Sequence, residues 1–438
     1  MERREFLKYT AAAAGVAATG PLTAGRFAPD RSRGTTTAAS PVKLSLLLNH
    51  TPQEVSRFEH IIGQFEKANP GITVSVENDT TYQAYLTTID VEGVGHTLPD
   101  VFYDRTTDTA FLGTKGWLLP LNSYIAKTPG FDVKDFWPAE QPSMSYLGNI
   151  YTLPWNFSVY TICINKTIFK KAGVPLPNPN WTWREFQATG LAVQKGYPGP
   201  SHYAADITNF VAGYWPIAGP LVANGGGLIS ADYKRATTTL KANVDILNLF
   251  VEMHSQGMVP NPDAFPTSVD PFVAGLEAMC VVGSWNFAEY PETIGDSFEW
   301  EVYPVPYGTT GKRCTTAIGG GFVVSAFTHN PEPAFQLASW LTSTAGLDYV
   351  VSDYLDSLPA RQSSMPDFIK AANKVKGVGN VLSESKLAVP FPIPPYFDPL
   401  QTAVANRIDG PIFTGSPVLT QLEALGSDID TLIKEYYP

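Results

Sequence analysis

Trp285 and Asn286 place a flat aromatic ring beside a carboxamide, directly after the apolar run Ala278–Val282 and the break Gly283-Ser284. A ring face is electron-rich and attracts the slightly positive C–H face of a polyol, while an amide both donates and accepts hydrogen bonds. The pair suits holding a sugar rather than cutting one. Taken locally, the same ring could equally plug a core, the commonest use of an aromatic side chain.

The residues before Trp285 say how such a pair would be positioned. Ala278, Met279, Cys280, Val281 and Val282 are continuously apolar, the mark of a strand buried on both faces. Phe272, Val273 and Leu276 fall three and four apart, predicting a short helical segment with Glu277 left in solvent beside it. In open α/β sheets ligands sit at the carboxyl ends of strands, where Trp285 and Asn286 fall.

The same alternation runs through the chain. Val42–Leu48 reads as a strand, Pro52–Ala68 as a helix with Val55, Phe58, Ile61, Ile62 and Phe65 inward, and Asn69-Pro70-Gly71 as its stop. Ile72–Val76, a helix from Gln83 to Ile89 and Val101–Tyr103 complete a parallel strand–helix–strand–helix–strand unit. Gly148 to Asn156 reads as a hairpin running into a turn at Pro154-Trp155-Asn156, then Tyr160–Ile164 as a strand. Asn165 to Gly173 is a helix with a glycine stop, and Thr182 caps the next helix.

The chain has 438 residues, enough for two domains. Its net charge is −11, which argues against nucleic acid or an anionic membrane surface as partner. Cys163, Cys280 and Cys314 stand singly, and the histidines show no HxH or HExxH spacing, so no metal or iron–sulfur pattern is present and no cofactor is expected. An odd cysteine count gives no complete disulfide framework, and Cys163 and Cys280 read as buried thiols.

Residues 3–8, RREFLK, precede an Ala/Gly-rich stretch to Gly20, the ingredients of an export signal. The Arg3-Arg4 pair with Phe6, Leu7 and Lys8 resembles the twin-arginine motif, with Glu2 a departure from its usual Ser or Thr. Residues 1–40 are thus expected to be signal and linker. Without a nearby cysteine a lipoprotein anchor is not expected, and the protein would work in the periplasm or outside the cell. Losing residues 1–40 removes six Lys/Arg and three Asp/Glu and leaves a net charge of −14.

Six motifs in order, FEKANPGITV, LPDVFYD, GWLLPLNSYI, YTLPWNFSVYTICINKTIFKKAGVPLP with WTWREF, FVAGLEAMCVVGSW and AIGGGFVVS, resemble the extracellular solute-binding proteins of carbohydrate ABC transporters, the branch that includes maltose-binding protein. The resemblance covers nearly all of residues 42–438. It implies an α/β, two-lobed periplasmic-binding-protein fold (type II), each lobe a sheet flanked by helices, with three hinge crossings. The first lobe would hold 41–158 plus 313–355, and the second 159–305 plus 362–438. Crossings would lie near Asn156–Tyr160, 304–311 and 356–361.

Carried onto this sequence, the family's stacking rings would be Tyr82 and Tyr103 in the first lobe, Trp155, Trp215 and Trp285 in or near the second, and Tyr396 or Phe397 in the turn PPYFDP. Asp104 and Arg105 fall where family members place charged sugar ligands, with Asp108 close behind. His50 and Asn49 end the first strand at the crevice, and Asn156 and Asn286 each follow a stacking candidate. Gly319 and Gly320 would bring bare backbone N–H groups to the ligand, or else serve tight strand packing. The implied partners are a small-molecule sugar, two membrane permease subunits and a cytoplasmic ATPase, with the protein itself a monomer and not an enzyme.

Two rivals remain at the sequence level. A glycoside hydrolase would need two placed carboxylates, and nothing among the acids singles out a pair. The same scaffold could take a polyamine, phosphate ester or peptide, since fold does not select solute.

Overall fold

Thr51 starts the first helix by a reciprocal arrangement: its Oγ1 accepts from the Glu54 N–H, and the Glu54 carboxylate accepts from the Thr51 N–H at 2.8 Å. The helix, α1 (Pro52–Ala68), lays Phe58, Ile61, Ile62 and Phe65 against strand β1 (Val42–Leu48). Strands β2 (Ile72–Asn78) and β3 (Val101–Arg105) flank β1, both parallel to it, with α2 (Tyr82–Gly95) between them in the chain. The computed structural model describes residues 41–199, 202–261, 264–265, 269–351, 357–389 and 392–437; the expected signal at 1–40 and the first residue, Asp356, of the expected crossing at 356–361 lie outside them.

Beyond β3 the sheet turns antiparallel, through Thr315–Val324, then the first half of Thr152–Asn165, to the short edge strand Leu358–Pro359. Thr152–Asn165 is 14 residues long and serves two sheets. Its residues up to Val159 pair with Thr315–Val324, while Tyr160–Ile164 pair with Met279–Gly283 and Ile162–Asn165 with Trp300–Tyr303. Thr315 and Thr316 likewise pair with Ala388 and Val389 before the rest of that strand reaches β3. Helices including Trp183–Gly196, Lys241–Ser255 and Val418–Tyr436 pack a second apolar core around the far half. The result is the expected α/β fold of two lobes, each a sheet flanked by helices.

Three local expectations are corrected. Pro154-Trp155-Asn156 is no turn but a bulge within the long strand: the register shifts between Pro154 and Asn156, where the missing proline N–H is tolerated. Phe272–Leu276 is a hydrogen-bonded turn rather than a helix, ended by Gly275 at φ 72°. Glu277 is 1% exposed, not solvated, because the chain there bridges to Tyr203 and draws it inward. Burial, reinforced by Asp206, holds its carboxyl well above the usual range.

Residues 304–311, expected at a crossing, pack on the second core. Trp181 Nε1 donates to the Pro304 carbonyl, Tyr307 bridges to Thr182, and Thr310 Oγ1 donates to the Ala223 carbonyl. The segment after it, Thr315–Val324, makes the passage between sheets.

Candidate ligand-binding cleft

The carboxyl end of β3 brings Tyr103 and Arg105 to the rim of a cavity of about 280 Å³. Asn156 and Gly319 line it from the neighbouring strands. Trp215, Phe397, Asp398 and Gln401 line it from the opposite side. A second cavity of about 210 Å³ adjoins it through Phe397 and Asp398, with α2 on one wall and Pro395 and Tyr436 on the other.

Arg105 organises the electrostatics. Its guanidinium stacks 3.9 Å above the Tyr82 ring and donates to both Asp108 oxygens at 3.2 Å, while the Tyr82 hydroxyl donates to Asp108 at 2.9 Å. Arg105 Nη2 also lies 3.5 Å from Asp398 Oδ1, linking the two walls. Burial works against the Arg105 cation, but Asp108 and the surrounding groups more than offset it and raise its pKa. Asp398 is pushed up by burial and by Asp108, against the pull of Arg105.

The aromatic wall is built by three rings. Trp215 packs on Tyr160 at 5.1 Å and on Trp285 at 5.7 Å between centroids, and Trp285 meets Tyr160 edge-on at 5.5 Å. Trp285 leaves the strand Met279–Gly283 in a short 3-10 turn, Ser284–Phe287, and folds back over Gly283, where a Cβ would overlap the indole. It remains 39% exposed, so it does not plug the core. Asn286, in the same turn, is half-buried.

The structure thus brings Tyr103, Arg105, Asn156, Trp215 and Gly319 to one cavity, with Tyr82 and Trp285 beside it. Other candidates go elsewhere. Trp155 is 2% exposed and packs against Phe58 and His50 in the first core. Tyr396 is fully buried, its hydroxyl donating to the Tyr233 carbonyl at 2.6 Å, whereas Phe397 lines both cavities. His50 sits behind Tyr103 at 4.5 Å, its Nδ1 3.5 Å from Glu54. Asp104 lines the second cavity rather than the first, and its carboxylate accepts from the Thr109 and Thr152 hydroxyls at 2.8 and 3.0 Å. Burial, then Asp108, holds its carboxyl well above the usual range.

The glycine N–H groups are not bare. Gly319 donates to Thr106 Oγ1 at 3.3 Å and Gly320 to Asn156 Oδ1 at 2.8 Å. Both glycines serve close approach: a Cβ on Gly319 would overlap the Asn156 backbone, and one on Gly320 the Tyr103 ring. Asp398 and Gln401 lie outside the sequence-based candidates. Gln401 sits in the helix Phe397–Val404 and accepts from the Trp215 N–H at 3.0 Å; only the neighbouring PPYFDP turn hinted at that wall.

The described residues contain no cluster of His, Cys, Asp and Glu able to hold a metal ion, and no helix long and apolar enough to cross a membrane.

A two-lobed α/β scaffold with a polar, ring-walled cleft between strand ends defines a solute-binding protein. The chain belongs to the family of bacterial extracellular solute-binding proteins, whose pattern residues 51–347 match. Membership makes it an exported protein. Its fold is similar to that of the sugar-binding protein MalE from Xanthomonas citri, with TM-score 0.78 and 18% identity over 90% of this chain and 98% of that one. An ABC substrate-binding protein from Listeria monocytogenes in complex with cycloalternan matches with TM-score 0.76 and 21% identity, over 90% and 99%. The cyclic alpha-maltosyl-1,6-maltose binding protein from Arthrobacter globiformis gives 0.75 and 19%, over 90% and 100%.

Proposed function

We propose that the protein captures a sugar in the cleft between its lobes and delivers it to the permease subunits of an ABC importer driven by a cytoplasmic ATPase. The observation that carries this reading is the Trp215–Trp285 ring pair beside a cavity whose other groups, Arg105, Asn156, Asp398 and Gln401, are directional hydrogen-bonders. Rings take the C–H face of a pyranose; the amides and charged groups take its hydroxyls. Proteins of similar fold that bind cycloalternan, a cyclic maltosyl-maltose and maltose support the carbohydrate class.

A micromolar site needs only ~8 kcal/mol net, which stacking and a few charge-assisted hydrogen bonds supply without breaking a bond. Affinity then comes from closure, because each lobe offers half of the site. We assign the lobes as 41–158 with 313–355 and 159–305 with 362–438. The strands Thr152–Asn165 and Thr315–Val324 would serve as crossings, and a third would lie near 356–361. Export through a twin-arginine-type signal and action as a monomer in the periplasm or outside the cell complete the proposal.

A second reading, a cationic solute, draws on Asp108 and Asp398 sharing a single arginine. A thermal-shift screen of the purified protein against mono- and oligosaccharides, polyamines and phosphate esters separates the two. At about one hundred times Kd a ligand adds roughly 2.7 kcal/mol of stability. A shift with one sugar class supports the proposal; shifts with polyamines or phosphate esters alone would overturn it.

A further inference from the structure

Cys163 and Cys280, read from the sequence as buried thiols, lie directly opposite each other on neighbouring antiparallel strands, Thr152–Asn165 and Met279–Gly283. They share one face, contributing to the same apolar cluster as Val282, Tyr290, Trp300 and Val302. Cys163 is 0% and Cys280 4% exposed, and the Cys280 thiol hydrogen-bonds to that of Cys163. Asp206 fixes the register from the outer side: its N–H donates to the Met279 carbonyl at 2.8 Å and its carbonyl accepts from the Val281 N–H at 2.9 Å. The N–H and C=O of Cys280 therefore turn toward Cys163, the hydrogen-bonded position of an antiparallel ladder. Opposite Cα atoms there lie about 5.5 Å apart, within the roughly 4.4–6.8 Å that disulfides span. Cys314 stands apart, near Lys312 and Glu384.

We propose that Cys163 and Cys280 form a disulfide once the exported chain meets an oxidising compartment, the thiols described here being its reduced state. The two S–H groups surrender two protons and two electrons and gain one Sγ–Sγ bond. The acceptor is a disulfide-bearing oxidant, protein or low-molecular-weight, whose own S–S bond is cleaved to two thiols. Thiolate attack is disfavoured in the folded core, since burial raises the Cys280 thiol well above its ordinary value. After export the bond therefore forms when Met279–Gly283 transiently leaves the sheet and exposes the thiols to the oxidant. It closes residues 163–280 into a loop and pins the strand that leads into Trp285, so the ring platform is anchored covalently at its root.

The test uses the wild-type protein recovered from the exported fraction without reductant, denatured, alkylated and weighed intact. The expected mass is two hydrogens below the trithiol with one alkylated cysteine, Cys314, and a digest yields a peptide joining Cys163 to Cys280. Reduction before alkylation exposes all three thiols and lowers Tm by roughly 3–8 °C. In Cys163→Ala the joined peptide disappears and Cys280 becomes alkylatable without reductant. Three alkylated cysteines in unreduced exported protein, unchanged after refolding with oxidised and reduced glutathione, would overturn the proposal. So would a disulfide to Cys314.

Discussion

Gly320 and Trp285 mark two different demands on single residues in the cleft. At Gly320 a methyl group would run into the Tyr103 ring, which lines the cavity. Gly320→Ala is expected to cost about 1–3 kcal/mol and to displace that ring; a lowered Tm together with weakened ligand binding would show it. Trp285 is 39% exposed, so Trp285→Ala should leave Tm within a few degrees while lowering sugar affinity roughly 10–100-fold, as measured by calorimetry. The sequence told these aromatics apart only in part. Trp285 follows a buried strand and a glycine break that place it at a strand end. Trp155 has similar neighbours, yet the bulge at Pro154 sends it into the first core. Tyr396 and Phe397 are adjacent in one turn, and only the docking of the helix Phe397–Val404 decides which ring faces the cleft.

At the scale of elements, local rules worked where neighbouring residues determine the outcome. The α1 boundaries, the Thr182 cap and the Gly173 stop follow from side chains a few positions apart, and the structure has all three. Thr51→Ala should therefore cost about 1 kcal/mol, since it leaves the Glu54 N–H without its acceptor and removes the hydroxyl's bond to the Glu54 carboxylate, which keeps only its bond from the Thr51 N–H at this cap. Denaturant titration of the variant measures it. Elements whose form depends on distant strands were not readable in this way. The turn expected at Pro154–Asn156 became strand because the partner strand places Gly319 and Gly321 where a Cβ would overlap the backbone of Leu153, Pro154 and Asn156, and so allows close approach. The helix expected at Phe272–Leu276 gave way to a turn because Tyr203 captures the backbone at Glu277. The opposition of Cys163 and Cys280, 117 positions apart in the chain, likewise depends on a register that no local pattern encodes.

Stability of the whole molecule should depend on pH through acids buried in neutral form. Burial pushes the Glu140 carboxyl up to about 8. Glu384 is pushed up to about 8 by burial, against the lowering effect of Arg313. Both exceed the ordinary value of 4.5, so the folded chain holds these protons more tightly than the unfolded one. Their contribution is fully present below about pH 4.5 and is lost as pH rises toward 8, each group giving a slope approaching ~1.4 kcal/mol per pH unit. Glu140→Gln keeps a neutral group of the same shape and should flatten that slope by one proton between pH 5 and 8, measured by urea unfolding. An unchanged slope would place the titrating group elsewhere.

The same scale holds the functional claim, because the cleft exists only where the two sheets share their long strands. Calorimetric titration of wild type and Trp285→Ala with the sugar giving the largest thermal shift, at low and high salt, tests it most directly. The expected result is one-to-one binding near micromolar Kd, little changed by salt and at least tenfold weaker in Trp285→Ala. Binding that collapses in salt, or that Trp285→Ala leaves untouched, would contradict a sugar held by stacking in this cleft.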